Sequence, residues 1–280
     1  MTGERSVVIS GASSGIGRAT AVYLDRAGWR VFAGVRNEQA EAELRSSSSD
    51  RLTTLMLDVT SEASISAAGD AVATATGGRL DALFNNAGIS VPGPVEYIPL
   101  EEVRQVFDVN VFGHLAMTQR FLPMLREACG RIVFTSSMSG RIGLPFLGAY
   151  AASKYAIEAY GDALRRELRG FGINVSLIEP GSIATEIWDK GLDPAVRARL
   201  DDEAERLYGS GLNFAEREGK RSAKAAIPAD AVAKAVEHAL TARKPKRRYV
   251  VGRDAKLLIP LANRAPGLVD AVVARGIRKG

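Results

Sequence analysis

Residues 6–17 read Ser6-Val7-Val8-Ile9-Ser10-Gly11-Ala12-Ser13-Ser14-Gly15-Ile16-Gly17 and run directly into a stretch of helical period, 18–27. A short apolar run, a glycine-rich turn and a helix in immediate succession make a strand–turn–helix unit. Glycines let the backbone turn tightly and approach a pyrophosphate, whose charge is then stabilised by free amides at the helix N-terminus. Three residues separate Gly11 from Gly15, so the spacing departs from the G-x-G-x-x-G of other nucleotide turns. Taken alone, the turn is read as a nucleotide site, with a ligand-free glycine turn as the alternative.

Outward from this unit, short β-branched runs alternate with longer helical stretches, the pattern of a parallel sheet covered by helices. Strands are expected near 6–10, 30–35, 52–58, 82–85, 131–136, 174–179 and 249–251, with helices between them. The expectation is an α/β fold with a doubly wound, seven-stranded parallel sheet and helices on both faces. No repeat, low-complexity tract or linker divides the 280 residues, so residues 1–280 are read as one domain. Two long helical stretches, 100–127 and 149–170, carry apolar residues on more than one face, which points to burial against the sheet and against a second subunit.

Composition is that of an ordinary globular chain, 46% hydrophobic and 25% charged. The single cysteine, Cys129, cannot form an internal disulfide, which favours a reducing cytoplasm, and it is expected to be a buried small hydrophobe. No Cys/His spacing suits a metal, and His114 and His238 are read as packed or surface histidines. Net charge is +5, but residues 241–280 hold eleven Lys/Arg against two Asp/Glu, so the basic character is C-terminal. The only aromatic among those charges is Tyr249, which leaves no stacking platform for nucleic acid. The uncharged stretch 142–153 is far short of the roughly 20 apolar residues that a membrane helix needs.

Further motifs stand where the other strands end. Arg36 follows the second strand, Asp58 and Val59 the third, and Asn85-Asn86-Ala87-Gly88 the fourth. Ser137 follows the fifth, and Tyr150 and Lys154 share one helical face four residues apart. Asn110 lies in Asn110-Val111-Phe112-Gly113, and the sixth strand ends in Glu179-Pro180-Gly181-Ser182-Ile183-Ala184-Thr185. With Gly11-x3-Gly15-x-Gly17, this set resembles the short-chain dehydrogenase/reductase family over roughly residues 6–185, and its steroid- and retinol-dehydrogenase members in flavour. The resemblance implies a single-domain Rossmann fold and an NADP(H)-dependent alcohol/carbonyl oxidoreductase. It implies Asn110, Ser137, Tyr150 and Lys154 as the catalytic set. It implies that Gly11, Ser13, Ser14, Gly15, Ile16, Gly17, Arg36, Asp58, Val59, Asn85, Ala87, Gly88, Tyr150, Lys154, Pro180, Gly181, Ile183 and Thr185 hold the cofactor. A guanidinium at Arg36 suits a 2′-phosphate, so NADP is favoured over NAD.

Moving a hydride requires a matching proton on the substrate oxygen, and Tyr150 is its expected carrier. Lys154 is expected to depress the Tyr150 pKa, and Ser137 to hold the substrate oxygen. Residues 186–227 are expected to form a helical substrate lid with an apolar underside, and Ser137, Leu144, Phe146, Tyr150 and Trp188 to touch a lipophilic alcohol, ketone or aldehyde. The tail, 253–280, is expected to be broken by Pro260 and Pro266 and to dock on the fold, on a partner subunit, or transiently on an anionic membrane surface. A homodimer or homotetramer is expected. Two rivals share part of the pattern: a sugar-nucleotide epimerase or dehydratase, which usually needs a larger C-terminal domain, and a non-catalytic NADP-binding sensor, which would have lost catalytic residues.

Overall fold

The computed structural model describes residues 4–184, 197 and 200–278. Seven strands form one sheet in the order β3-β2-β1-β4-β5-β6-β7, with every pairing parallel. They are β1 (Ser6–Ile9), β2 (Arg30–Val35), β3 (Leu52–Met56), β4 (Ala82–Asn85), β5 (Arg131–Thr135), β6 (Asn174–Pro180) and β7 (Arg248–Val251). The strand order reverses direction between β1 and β4, which opens a crevice at their carboxyl ends where sheets of this kind bind ligands.

Both faces of the sheet are covered, and alternate residues of each strand divide between them. On one face Val7, Ile9, Val31, Ala33, Phe84 and Ile178 pack with α1 (Gly15–Arg26), α2 (Glu38–Ser46) and α8 (Asp230–Thr241) through Ala21, Leu24, Leu44, Val232 and Val236. On the other face Val8, Phe32, Leu83, Ile132, Phe134 and Leu177 pack with α3 (Glu62–Thr76), α5 (Gly113–Ala128) and α6 (Gly148–Glu167) through Ile65, Val72, Met117, Phe121 and Ile157. This is the doubly wound, single-domain Rossmann fold expected from the sequence.

Three expectations change in detail. The stretch 100–127 is not one regular helix: α4 (Leu100–Phe107) passes through a π turn, Asp108–Phe112, into α5. The tail is not broken at Pro260, since α9 (Arg253–Arg264) continues through it; the chain bends by 115° before α10 (Pro266–Arg278). Pro266 stands at the first position of α10, where its missing N–H has no helical acceptor to lose. Cys129 is exposed, not buried, because it caps α5 with φ 46 at the turn into β5, on the surface. Among the described residues no single helix is long and apolar enough to cross a membrane. The stretch expected as a lid is helical over α7 (Asp202–Ala225), and α10 packs across this helix where Gly276 meets the Phe214 ring.

Candidate active site

The glycine turn owes its sequence to its surroundings. Gly11 and Gly15 sit at φ +67° and +53°, and a Cβ on Gly17 would lie 2.0 Å from the Gly11 carbonyl oxygen. A Cβ on Gly11 would lie 2.7 Å from the Ala87 Cα. The backbones of the first and fourth strand ends therefore touch, and only glycine fits between them. Helix α1 begins with no side-chain cap and no acidic residue in its first turn, leaving its positive end open at the carboxyl edge of the sheet. Residues of this kind fit a dinucleotide pyrophosphate.

Asn86 fastens this edge together. Its amide donates to the carbonyls of Ser10 (3.2 Å) and Gly11 (3.1 Å), its oxygen accepts from the Thr135 hydroxyl (3.0 Å), and its backbone N–H donates to the Ser10 hydroxyl (2.9 Å). Asn85, by contrast, turns its side chain inward to the Thr118 hydroxyl (3.0 Å) and is fully buried. Of the two asparagines the second ties the strands. Arg36 is exposed beside Ser13, whose hydroxyl accepts from the Arg36 backbone N–H at 3.3 Å. Exposed Asp58 holds its pKa below the usual range, first through the Thr60 backbone N–H, then the Thr60 hydroxyl, and lastly through the charge of Arg36. Val59 is buried against Gly113, so only its backbone is free to meet a ligand.

Ser137, Tyr150, Lys154 and Asn110 converge beside Gly88. Lys154 follows Tyr150 by one helical turn on α6; its Nζ donates to the Thr135 carbonyl at 2.8 Å and lies 5.6 Å from the centre of the Tyr150 ring. The position of a Cβ on Gly88 would be 3.4 Å from Asn110 Oδ1 and 3.6 Å from Lys154 Nζ. The π turn swings Asn110 inward, where its oxygen accepts from the Ile89 N–H (2.8 Å) and its amide donates to the Ile89 carbonyl (2.9 Å) and the Ser153 hydroxyl (3.0 Å). Ser153 in turn donates to the Tyr150 carbonyl at 2.7 Å, so Asn110 braces the first turn of α6. Single π turns are frequent at functional sites.

Burial governs the electrostatics. It lowers the Lys154 pKa to about 8. It also raises that of Tyr150, while a hydrogen bond with Ser137 pulls the other way. The expected depression of the Tyr150 pKa by Lys154 is not found in the protein alone, where desolvation of the buried phenol is the larger cause and the Ser137 hydrogen bond the one that opposes it. His114 is fully buried on α5; burial first, then the Lys154 charge, lowers its pKa to about 3. It is therefore neutral, and since its Nε2 faces the Ala87 carbonyl at 2.7 Å, that nitrogen carries the proton. His114 thus holds the Ala87–Gly88 backbone in place, a role with no signal in the sequence.

At the end of β6, Gly181 N–H donates to the Val251 carbonyl at 2.8 Å, and Ile183 is buried in the core beside Ile227, leaving its backbone at the edge. Thr185 and Trp188 lie outside the described residues. Phe146 has φ 64, and its ring presses on Gly211 of α7, where a Cβ would come within 2.5 Å of Cζ. Leu144 packs with Met138, Ile142, Ala255 and Ile259. The two residues join α7 and the tail to the Ser137 loop. Helix α7 is also held by the Tyr208 hydroxyl, which donates to Glu96 at 2.6 Å.

The family model for short chain dehydrogenase matches residues 5–194. Mouse retinol dehydrogenase 16 is 40% identical over 279 residues, covering 96% of this chain and 88% of that protein. Rat 17-beta-hydroxysteroid dehydrogenase type 6 is 38% identical over 288 residues, covering 99% and 90%. A short chain dehydrogenase/reductase from Burkholderia phymatum, solved in complex with NAD, superposes with a TM-score of 0.77 at 27% identity and 95% coverage of both chains. The chain is an oxidoreductase that belongs to the short-chain dehydrogenase/reductase family, among its retinol and steroid dehydrogenase type.

Proposed function

We propose that the protein is an NADP(H)-dependent oxidoreductase that interconverts a lipophilic alcohol with its ketone or aldehyde, the substrate being steroid-, retinoid- or fatty-chain-like. The observation that carries this reading is the meeting of Ser137, Tyr150 and Lys154 beside the strand ends that bear the glycine turn. The bound nicotinamide supplies or accepts the hydride. Tyr150 donates its phenolic proton to the substrate oxygen in reduction and receives it in oxidation. Ser137 hydrogen-bonds that oxygen and stabilises charge developing on it. Lys154, fixed by the Thr135 carbonyl, favours the phenolate whenever the proton leaves.

Arg36 supports NADP over NAD, because an exposed guanidinium at the end of β2 pairs with a 2′-phosphate where a carboxylate would repel it. The similarity to retinol and steroid dehydrogenases supports an apolar substrate, taken between the Ser137 loop with Leu144 and Phe146 and the helix α7. The half-exposed aromatics Phe112, Tyr155 and Tyr160 on the π turn and α6 support a homodimer or homotetramer through these helices. One cysteine, exposed and unpaired, suits the cytoplasm.

The test is fluorescence titration with NADPH and NADH, then turnover of retinal, a ketosteroid and a small polar ketone by wild type and Tyr150→Phe. The expected result is preferential NADPH binding in both proteins and turnover of the apolar carbonyls by wild type alone. Retained turnover in Tyr150→Phe would remove the assigned proton carrier.

A further inference from the structure

The tail helix α9 reaches into the site through one side chain. Asp254, in its first turn, accepts a hydrogen bond from the Ser182 backbone N–H at 2.7 Å. The same carboxylate occupies the space beside two glycines: a Cβ on Gly181 would lie 2.2 Å from Asp254 Oδ1, and one on Gly252 would lie 2.5 Å from it. Gly252 has φ 112, a backbone conformation that L side chains rarely adopt. Two glycines and a strand end are thus arranged around one carboxylate. Its charge is favoured where it stands, at the positive end of α9. Immediately behind it Ala255 and Ile259 pack on Met138 and Ile142, which follow Ser137. One helix therefore supports both the turn after β6 and the loop after β5.

We infer that Asp254 is a positioning residue for the Pro180–Ile183 turn, fixing the backbone that meets the nicotinamide half of the cofactor. The inference rests on the proposed function, in which that turn holds the nicotinamide. Asp254 touches no reacting atom; it acts by holding the Ser182 amide, which sets the direction of the peptides on either side. Without it the turn keeps its bond from Gly181 N–H to Val251 and the backbone bonds that link Ser182 and Ala184 with Ile227. The turn then persists, with its inner segment free to rotate. The adenosine half lies at the ends of β2, β3 and β4, far along the sheet edge from α9, and does not depend on it.

The two halves can be read separately by titrating wild type, Asp254→Ala and Asp254→Asn with NADPH and with adenosine 2′,5′-bisphosphate, which carries no nicotinamide. Asp254→Ala is expected to weaken NADPH about tenfold or more, the range of a lost charge-assisted hydrogen bond. It is expected to leave adenosine 2′,5′-bisphosphate unchanged. Asp254→Asn keeps an acceptor for Ser182 and is expected to recover most of the loss. Unchanged NADPH affinity in Asp254→Ala, or equal weakening of both ligands, overturns the inference. If Asp254→Ala does not fold, Asp254→Asn decides by the same comparison, with a few-fold effect expected on NADPH alone and an equal effect on both ligands counting against. Wild type that binds adenosine 2′,5′-bisphosphate and NADPH equally well overturns the inference and leaves the nucleotide site standing. Wild type that binds neither overturns the proposed function and the inference with it.

Discussion

Lys154 is 2% exposed, and among the described residues its ammonium donates to the Thr135 carbonyl. Replacing it with methionine removes the charge and keeps a long flexible stem. Burial lowers the lysine pKa from 10.5 to about 8, which means that holding the charged form inside the fold costs about 3 kcal/mol. The variant avoids that cost at pH 7 but leaves the Thr135 carbonyl without its donor, a loss of about 1 kcal/mol. Lys154→Met is therefore expected to be about 2 kcal/mol more stable than wild type at pH 7, while losing turnover. The sign with pH is fixed by linkage. Between about 8 and 10.5 the folded lysine has released its proton and the unfolded one has not, so wild-type stability rises through that window. The advantage of the variant should shrink from pH 8 upward and reverse before the ordinary lysine value is reached. Paired urea denaturation of both proteins at pH 7 and pH 10 measures this, because tyrosines and other groups common to both cancel in the difference. A variant less stable than wild type at pH 7, or a gap that does not change between the two pH values, would refute the reasoning.

Asn86→Asp places a carboxylate against the carbonyls of Ser10 and Gly11, where the amide now donates twice; a loss of about 3 kcal/mol is expected, larger than for Asn86→Ala, read from denaturant midpoints. Glu179 is buried, and burial first, then the charge of Glu158, raises its pKa from 4.5 to about 7 against the pull of Arg141 and Arg248. Its contribution is fully present below pH 4.5 and is lost as pH rises through about 7. Glu179→Gln should therefore flatten the fall in Tm between pH 5 and pH 8, and an unchanged slope would count against a proton held on Glu179. On the tail, Leu257 and Val272 are exposed on helices that also carry Arg253, Lys256, Arg264 and Arg275. Co-sedimentation with phosphatidylserine vesicles is expected to exceed that with phosphatidylcholine, and to fall on Leu257→Asp with Val272→Asp; equal negligible binding ends the membrane reading.

Much of the fold was legible because each strand is a short β-branched run closed by a residue type its turn requires. The ends of β2 and β4 at Val35 and Asn85 coincide with the expected ones, and β1, β3 and β5 stop within two residues of theirs. The candidate site was legible as spacing: Tyr150 and Lys154 four apart, and glycines where two backbones touch. What spacing does not carry is the direction of a side chain. Asn85 and Asn86 are adjacent and alike, yet the pleat sends one into the helices and the other across the strand ends. His114 looks like any helical histidine until α5 is laid over Ala87. The partners of Glu179 lie on the loop after β5, on α6 and on β7, at sequence distances that no local pattern spans.

The π turn at Asp108–Phe112 has a bearing on how this segment can change. It joins two helical phases: the turn itself presents Asn110 to Ile89, and the helix after it sets Met117, Phe121, Met124 and Leu125 into the core. One residue carries the offset, and each residue of a regular helix turns the chain by about 100°. Side chains here can be exchanged one at a time with local effect, but the number of residues between Asn110 and Met117 cannot. A single deletion would rotate either the asparagine out of the site or the apolar stripe away from the sheet. Length is the fixed quantity of this helix, and composition the variable one.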